Sequence, residues 1–228
     1  MKLPPKKAKE PYVSMNKLAE YMEAKPIRRT QIISQLKADR DYYKVFYSNV
    51  RNILPNYVKN NFSNINLENA IKRIKAKKST STWDEKDHPN SILALESLKD
   101  MIVPNVEDYD VVNLNEKVDH IMLSGVKVII KPDVYLKHKK TKQIGGVKFH
   151  IAKTKSSWLS ANCLEYASTI IKCGFMHYGY DEKDVDNKAC ISLDVFQKTF
   201  GTSPKSYKRS MNELESACKE IADRWSTL

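Results

Sequence analysis

Residues 126–151, VKVIIKPDVYLKHKKTKQIGGVKFHI, decide how the chain is read. Val126, Val128, Ile129 and Ile130 are β-branched, and such side chains pack well on a pleated sheet. Pro132-Asp133 follows, and Val134-Tyr135-Leu136 continues as strand. HKKTKQ is polar and suits a hairpin connection. GGVKFHIAK then alternates apolar and polar side chains at the period of a half-buried strand. The segment therefore predicts strand–hairpin–strand.

Working outward, residues 118–131 form an extended stretch with Gly125 as a turn. Downstream, WLSANCLEYASTIIKCGF predicts a helix, with Leu159, Cys163, Tyr166 and Ile170 on one side and Gly174 near a C-terminal cap. YDEKDVDN reads as a loop and ACISLDVF as one more strand. The last helix takes Ser203 as cap, Pro204 in its first turn, and Met211, Leu214, Cys218, Ile221 and Trp225 as its buried stripe. Upstream the texture is helical. Ser14 caps a first helix, a second starts near Ile27, and Asp39 or Asp41 caps a third whose stripe runs Tyr43, Phe46, Tyr47, Val50, Ile53, Leu54, Tyr57. LENAIKRIKAKK makes another. STSTWDEKDHPN reads as a loop, and SILALESLKDMI as a short helix. The expected fold class is α/β (α+β): a small mixed central sheet flanked by helices, with an all-α N-terminal extension. The expected organisation is a basic flexible arm at 1–12, a helical region at 13–103 and an α/β core at 104–228.

Composition bounds the function. With 41% hydrophobic and 29% charged residues in 228, the chain has enough apolar material for a core and is not of the disordered class. No apolar run reaches the roughly 18–20 residues of a membrane span, and the N-terminus lacks the apolar stretch of a secretory signal. Cys163, Cys173, Cys190 and Cys218 are scattered with no CxxC pair, which predicts free thiols in a reducing cytoplasm. The chain has no P-loop and no GxSxG. Charge is segregated: residues 1–80 carry a balance of +12, 81–120 of −7, 121–155 of +8 and 156–228 of −1. Two basic blocks flanking an acidic one attract a polyanion, which makes nucleic acid, DNA first, the expected partner and a membrane not one. Arg28, Arg29, Lys72, Lys75, Lys139, Lys140 and Lys153 are the candidate phosphate contacts. The same charges also suit Lys-rich helices kept soluble by their solvated faces.

Pro132-Asp133 followed after a hairpin by Gly146-Val147-Lys148, and then by a helix, resembles the core of the PD-(D/E)xK, restriction-endonuclease-like nuclease superfamily. That fold places an Asp at the start of one strand and an acid-x-Lys on the next, so that all three share a face. The resemblance implies a divalent-metal-dependent endonuclease of phage defence or mobile elements, using Mg²⁺ or Mn²⁺. It assigns catalytic roles to Asp133, Lys148 and Glu165. The motif is degenerate here, because Gly146 stands at the acid position. Glu165 on the following helix and Glu96 on a preceding one are then the expected metal ligands beside Asp133. Asn162 and Tyr166 stand at the spacing of the Gln-x-x-x-Tyr motif of the RecB-like branch, with Asn for Gln, and His150 shares the face of Lys148. The alternatives are a catalytically decayed module that holds DNA or a protein partner, and a function completed by a homodimer or another protein. Read from the residues alone, Asp133 also suits a strand-end turn, Lys148 a solvated strand, and His150 a core position.

Residues 14–37 also resemble helix-turn-helix proteins, as two short helices about a turn. In that reading Arg28, Arg29, Gln31 and Gln35 face a DNA groove, and the chain is a regulator.

Overall fold

The residue pattern of 118–151 resolves into two hairpins on two different sheets. Strands β3 (His120–Leu123) and β4 (Val126–Ile129) are antiparallel and joined by Ser124 and Gly125, with φ of 45° and 79°. Two consecutive left-handed residues make the tight turn whose twist matches flanking strands, and glycine adopts it without a Cβ clash. Strands β5 (Val134–His138) and β6 (Ile144–His150) form the second antiparallel hairpin. Between β4 and β5 the chain leaves one sheet and enters the other, turning at Lys131, whose φ is 43°. The computed structural model describes residues 10–38 and 47–227. The expected arm at 1–12 lies mostly outside those residues, as do Asp39, Asp41, Tyr43 and Phe46.

The expected α+β class is correct. One sheet has the order β1-β4-β3, with β1 (Tyr12–Ser14) parallel to β4. The other has the order β2-β5-β6-β7-β8, adding β2 (Tyr109–Val112), β7 (Val185–Asp194) and β8 (Thr199–Thr202). β7 is parallel to β6, and the crossover between them contains helix α7 (Ala161–His177). α7 is buried without interruption from Ala167 to Phe175. A helix apolar nearly all round belongs inside a protein, and α7 lies between the two sheets. Gly174 sits within it, not at its cap. A Cβ there would lie 2.6 Å from Ile130 Cδ1 and 2.7 Å from Val118 Cγ1, so any larger residue would push aside the side chains that flank β3 and β4.

The N-terminal helices divide between two cores. α1 (Met15–Glu23) and α2 (Pro26–Lys37) pack with β1, β3, β4, α7 and the last helix, α8 (Lys208–Trp225). α3 (Ser48–Arg51), α4 (Leu54–Lys59), α5 (Asn64–Ala76) and α6 (Thr82–Lys99) cover the opposite face of the five-stranded sheet, against Val134, Leu136, Val147, Phe149, Ile191 and Leu193. The helical stretch 13–103 is thus not a separate extension: both of its halves close the α/β core. Two local readings also change. Of the stretch expected as a loop at 79–90, residues 82–90 are the start of α6, because Ser81 Oγ accepts from Asp84 N and Asp84 and Glu85 occupy the first turn. α8 begins at Lys208, after the expected Ser203 cap and Pro204. The β1, β2 and β8 strands are three or four residues long, too short to show a period.

Candidate functional site at the seam of the two sheets

Pairing of Val134 with Val147 sets Asp133 opposite Lys148 at the end of the sheet where β5 begins. Backbone pairing extends one residue past the strand, since Asp133 N donates to Val147 O at 2.8 Å. Side chains opposite one another in an antiparallel pair share a face, so the two charged groups meet. Lys148 Nζ lies 3.2 Å from Asp133 Oδ1, and each side chain is only 15% exposed. The geometry expected of Asp133 and Lys148 from their positions in sequence is present.

The surroundings decide what this pair can do. Asp133 Oδ2 accepts from Phe149 N at 2.8 Å. Oδ1 also accepts from Arg51 Nη1 at 3.4 Å, a long contact from α3 in the helical layer. Lys148 Nζ donates in addition to the Lys131 carbonyl at 2.6 Å. Both oxygens of Asp133 are therefore engaged, one by two cations and the other by a backbone amide. Burial pushes the Lys148 amine below its ordinary range, and the Asp133 charge partly opposes that shift.

The acid position is tightly packed. A Cβ on Gly146 would lie 3.1 Å from Pro132 Cβ and 3.3 Å from Ile171 Cγ2 of α7. The two glutamates expected as substitutes do not reach the pair. α7 crosses the sheet, with Leu164 against Gly201 of β8 and Ile171 against Gly146 of β6. Glu165 is therefore exposed over the β8 side, two strands from β6. Glu96 is exposed on α6 beside Lys99, 3.7 Å away. Neither lines the cleft at Asp133. Among the described residues no group of three or more His, Cys, Asp or Glu side chains is arranged to hold a metal ion. Asp133, Glu165 and Glu96 are not one ligand set. The residues present do not fit the Mg²⁺ or Mn²⁺ site that the resemblance implies, because Asp133 is the one carboxylate at the pair and three of its roughly four acceptor sites already face Lys148, Arg51 and Phe149 N.

Other expected residues find different partners. His150 Nε2 donates to Ser157 O at 2.7 Å, which leaves Nδ1 to accept from Asn16 Nδ2 at 3.3 Å. Burial lowers its pKa, and Asp194 opposes the shift. Asp194 itself is fully buried and accepts from the amides of Leu159, Phe196 and Gln197. Tyr166 donates to Glu213 of α8, and with Asn162 it lines a separate cleft between α1, α7 and α8. The four cysteines are unpaired and buried, and burial pushes the thiols of Cys163, Cys173 and Cys218 up to about 12, so they are poor nucleophiles.

Two of the basic candidates are engaged internally. Arg28 Nη2 pairs with Glu20 at 2.6 Å. Arg29 donates to the Tyr21, Met22 and Ala24 carbonyls at the end of α1 and to Glu220 at 2.8 Å. Gln31 and Gln35, the other two residues of the helix-turn-helix reading, are exposed. Lys72, Lys75, Lys139, Lys140 and Lys153 are exposed, as expected. Of these, Lys139 and Lys153 donate to Glu107 O and Asn90 Oδ1.

The sequence reading missed Arg51 and Asp119. Asp119 shares a cleft of about 440 Å³ with Asp133, Lys131, Asn113 and Lys117, and its carboxylate lies 3.2 Å from Lys131 Nζ. Its place was legible: the Ser124–Gly125 turn fixes a register that sets Asp119 opposite Ile130, next to Lys131. Arg51 carried no such signal, because 82 residues separate it from Asp133. No protein-family model matches the chain, and the search of curated proteins finds no match. No helix among the described residues is long and apolar enough to cross a membrane.

Proposed function

We propose that the chain is a nucleic-acid-binding protein on a PD-(D/E)xK-like core whose Asp133–Lys148 pair acts as a structural lock and not as a cleavage centre. The observation that carries this reading is the engagement of Asp133 by Lys148, Arg51 and the Phe149 amide. A strand, hairpin, strand, crossover helix and parallel strand, with Asp and Lys on one face, support the likeness to the nuclease core. A metal on Asp133 would share the carboxylate with these donors, which leave about one acceptor site open on Oδ2. Exposed cations on α5 and on the β5–β6 turn supply the attraction for phosphate. Four buried, unpaired thiols suit a reducing, cytoplasmic setting.

The cleaving alternative rests on a separate observation: Asp119 and Asp133 line one cleft, where a carboxylate from a second copy or another protein would join two already present. One experiment separates the readings. Labelled DNA and RNA are titrated with the full chain, and plasmid, linear and single-stranded substrates are incubated with it in Mg²⁺ and in Mn²⁺. The proposal expects binding that weakens by roughly three decades between 50 and 200 mM salt if six phosphates are contacted, with no cleavage. Cleavage abolished by Asp133→Ala would replace it with the nuclease reading. Absence of binding at low salt would end both.

A further inference from the structure

The helical layer carries a cleft of about 540 Å³ that the seam does not use. Two helical faces line it. Asn49, Asn52 and Asn56 come from the α3–α4 segment at spacings of three and four, and Asn66, Asn69, Arg73 and Lys77 come from α5 and its cap at spacings of three, four and four. Ile53, Ala70 and Ile74 form the apolar floor. No carboxylate lines it.

Most of these polar groups have no internal task. The side-chain amides of Asn52, Asn56 and Asn69 make no hydrogen bond to another described residue. Asn49 Nδ2 is anchored from behind by buried Asp87 at 3.1 Å, and Asn66 Nδ2 by Asn56 O at 3.3 Å. Arg73 commits only Nε, to Asn69 O at 3.4 Å, and keeps the end of its guanidinium open. Lys77 feels Asp84, at the start of α6, from outside the lining.

We propose that this cleft is a binding site for single-stranded nucleic acid, receiving an unpaired base. The inference rests on the nucleic-acid-binding reading above and names its site and substrate class. Primary amides carry a donor and an acceptor side by side, the complement of a base edge. The isoleucine floor accepts the apolar face of a base. Arg73 and Lys77 are placed for the flanking phosphates, and the exposed Lys72, Lys75 and Lys78 continue the positive surface along α5. The volume suits one or two splayed nucleotides, and only a single strand offers unstacked bases to such a recess.

The test uses fluorescence anisotropy with the full chain and labelled single strands of roughly 12 nucleotides, DNA and RNA, beside the matching duplex. Variants are Asn52→Ala/Asn69→Ala, Arg73→Ala and, as a comparison, Lys139→Ala/Lys140→Ala, each checked for folding by circular dichroism. The expected result is a loss of about tenfold or more in single-strand affinity for the double asparagine variant, with duplex affinity unchanged. Arg73→Ala should lower the salt slope by about one contact. If the parent binds nucleic acid but both cleft variants stay within about twofold on single strands, the inference is overturned while the parent reading stands. If unlabelled mononucleotides displace the labelled single strand as well as unlabelled oligonucleotides do, the site takes free nucleotides and the inference also fails. If the parent binds neither strands nor duplex at low salt, both readings fall together.

Discussion

The seam at Asp133 and the asparagine cleft on α3–α5 are both polar, and they use their polar groups in opposite ways. At the seam a carboxylate, an amine, a guanidinium and a backbone amide face one another behind side chains that are mostly buried. In the cleft three amides and most of a guanidinium face outward without partners. Buried polar groups cost free energy when unpaired, so the seam is held by mutual satisfaction and penalises the loss of any member. Exposed polar groups already have water and can exchange it for a ligand. The lesson is that a motif resembling a catalytic centre can be the more structural of two polar sites.

The largest expected effect tests the seam. Asp133→Ala should destabilise the chain by about 3 kcal/mol, because Lys148 is left buried without its counter-charge and Phe149 N without its acceptor. Urea unfolding measures it. Adding Lys148→Met to the same chain should recover part of the loss, and a double-mutant cycle reads the coupling. If the single variant is as stable as the parent, the seam is not a lock and the contrast with the cleft disappears.

Restoring the missing acid is the next test. Gly146→Asp forces a side chain against Pro132 and Ile171, so about 1–3 kcal/mol should be lost, with no cleavage gained. Mg²⁺-dependent cleavage by this variant would show that the seam needs only one more carboxylate.

A smaller effect concerns pH. Burial holds the His150 pKa below its ordinary 6.5, with Asp194 and Glu20 opposing and Lys17 reinforcing the shift. As pH falls through 6.5 the unfolded chain takes up the proton before the folded one, so stability decreases down to the folded pKa and then levels off. His150→Gln should flatten the stability profile below pH 6.5 relative to the parent. Thermal unfolding across that range checks the sign.

The smallest effect belongs to the cleft. Asn52→Ala and Asn56→Ala should leave stability within about 0.5 kcal/mol of the parent, as exposed side chains without internal partners do. A large loss in chemical denaturation would mean that these amides serve the fold, and the two regions would then be alike.

Much of this was legible in residue order. The alternation in 144–150 and the Val134-Tyr135-Leu136 run after Pro132-Asp133 gave the two strands, and a hairpin between them required Asp133 and Lys148 to come together. Spacing along α5 also puts Asn66, Asn69 and Arg73 on one face, a pattern the sequence reading did not single out because it only matters beside Asn49, Asn52 and Asn56. The β1, β2 and β8 strands were not legible, because so few residues leave no period to detect, and for β1 and β2 the pairing partner is also distant in sequence. Glu165 was misplaced for a related reason. Helical periodicity shows which face of α7 is apolar, but not the direction in which the helix crosses the sheet.

Local chemistry in the sequence determined the α+β class, the Ser124–Gly125 turn, the pairing of Asp133 with Lys148, and the segregation of charge. These depend on side-chain shape and on residues within one or two strands of each other. Tertiary structure alone decided that α1 and α2 join the β1-β4-β3 layer, that Arg51 arrives at Asp133, and that Pro132 and Ile171 pack against Gly146. Such outcomes are set by how two hydrophobic cores pack against the two faces of one sheet, an arrangement of apolar surfaces far apart in the chain that short-range pattern does not encode.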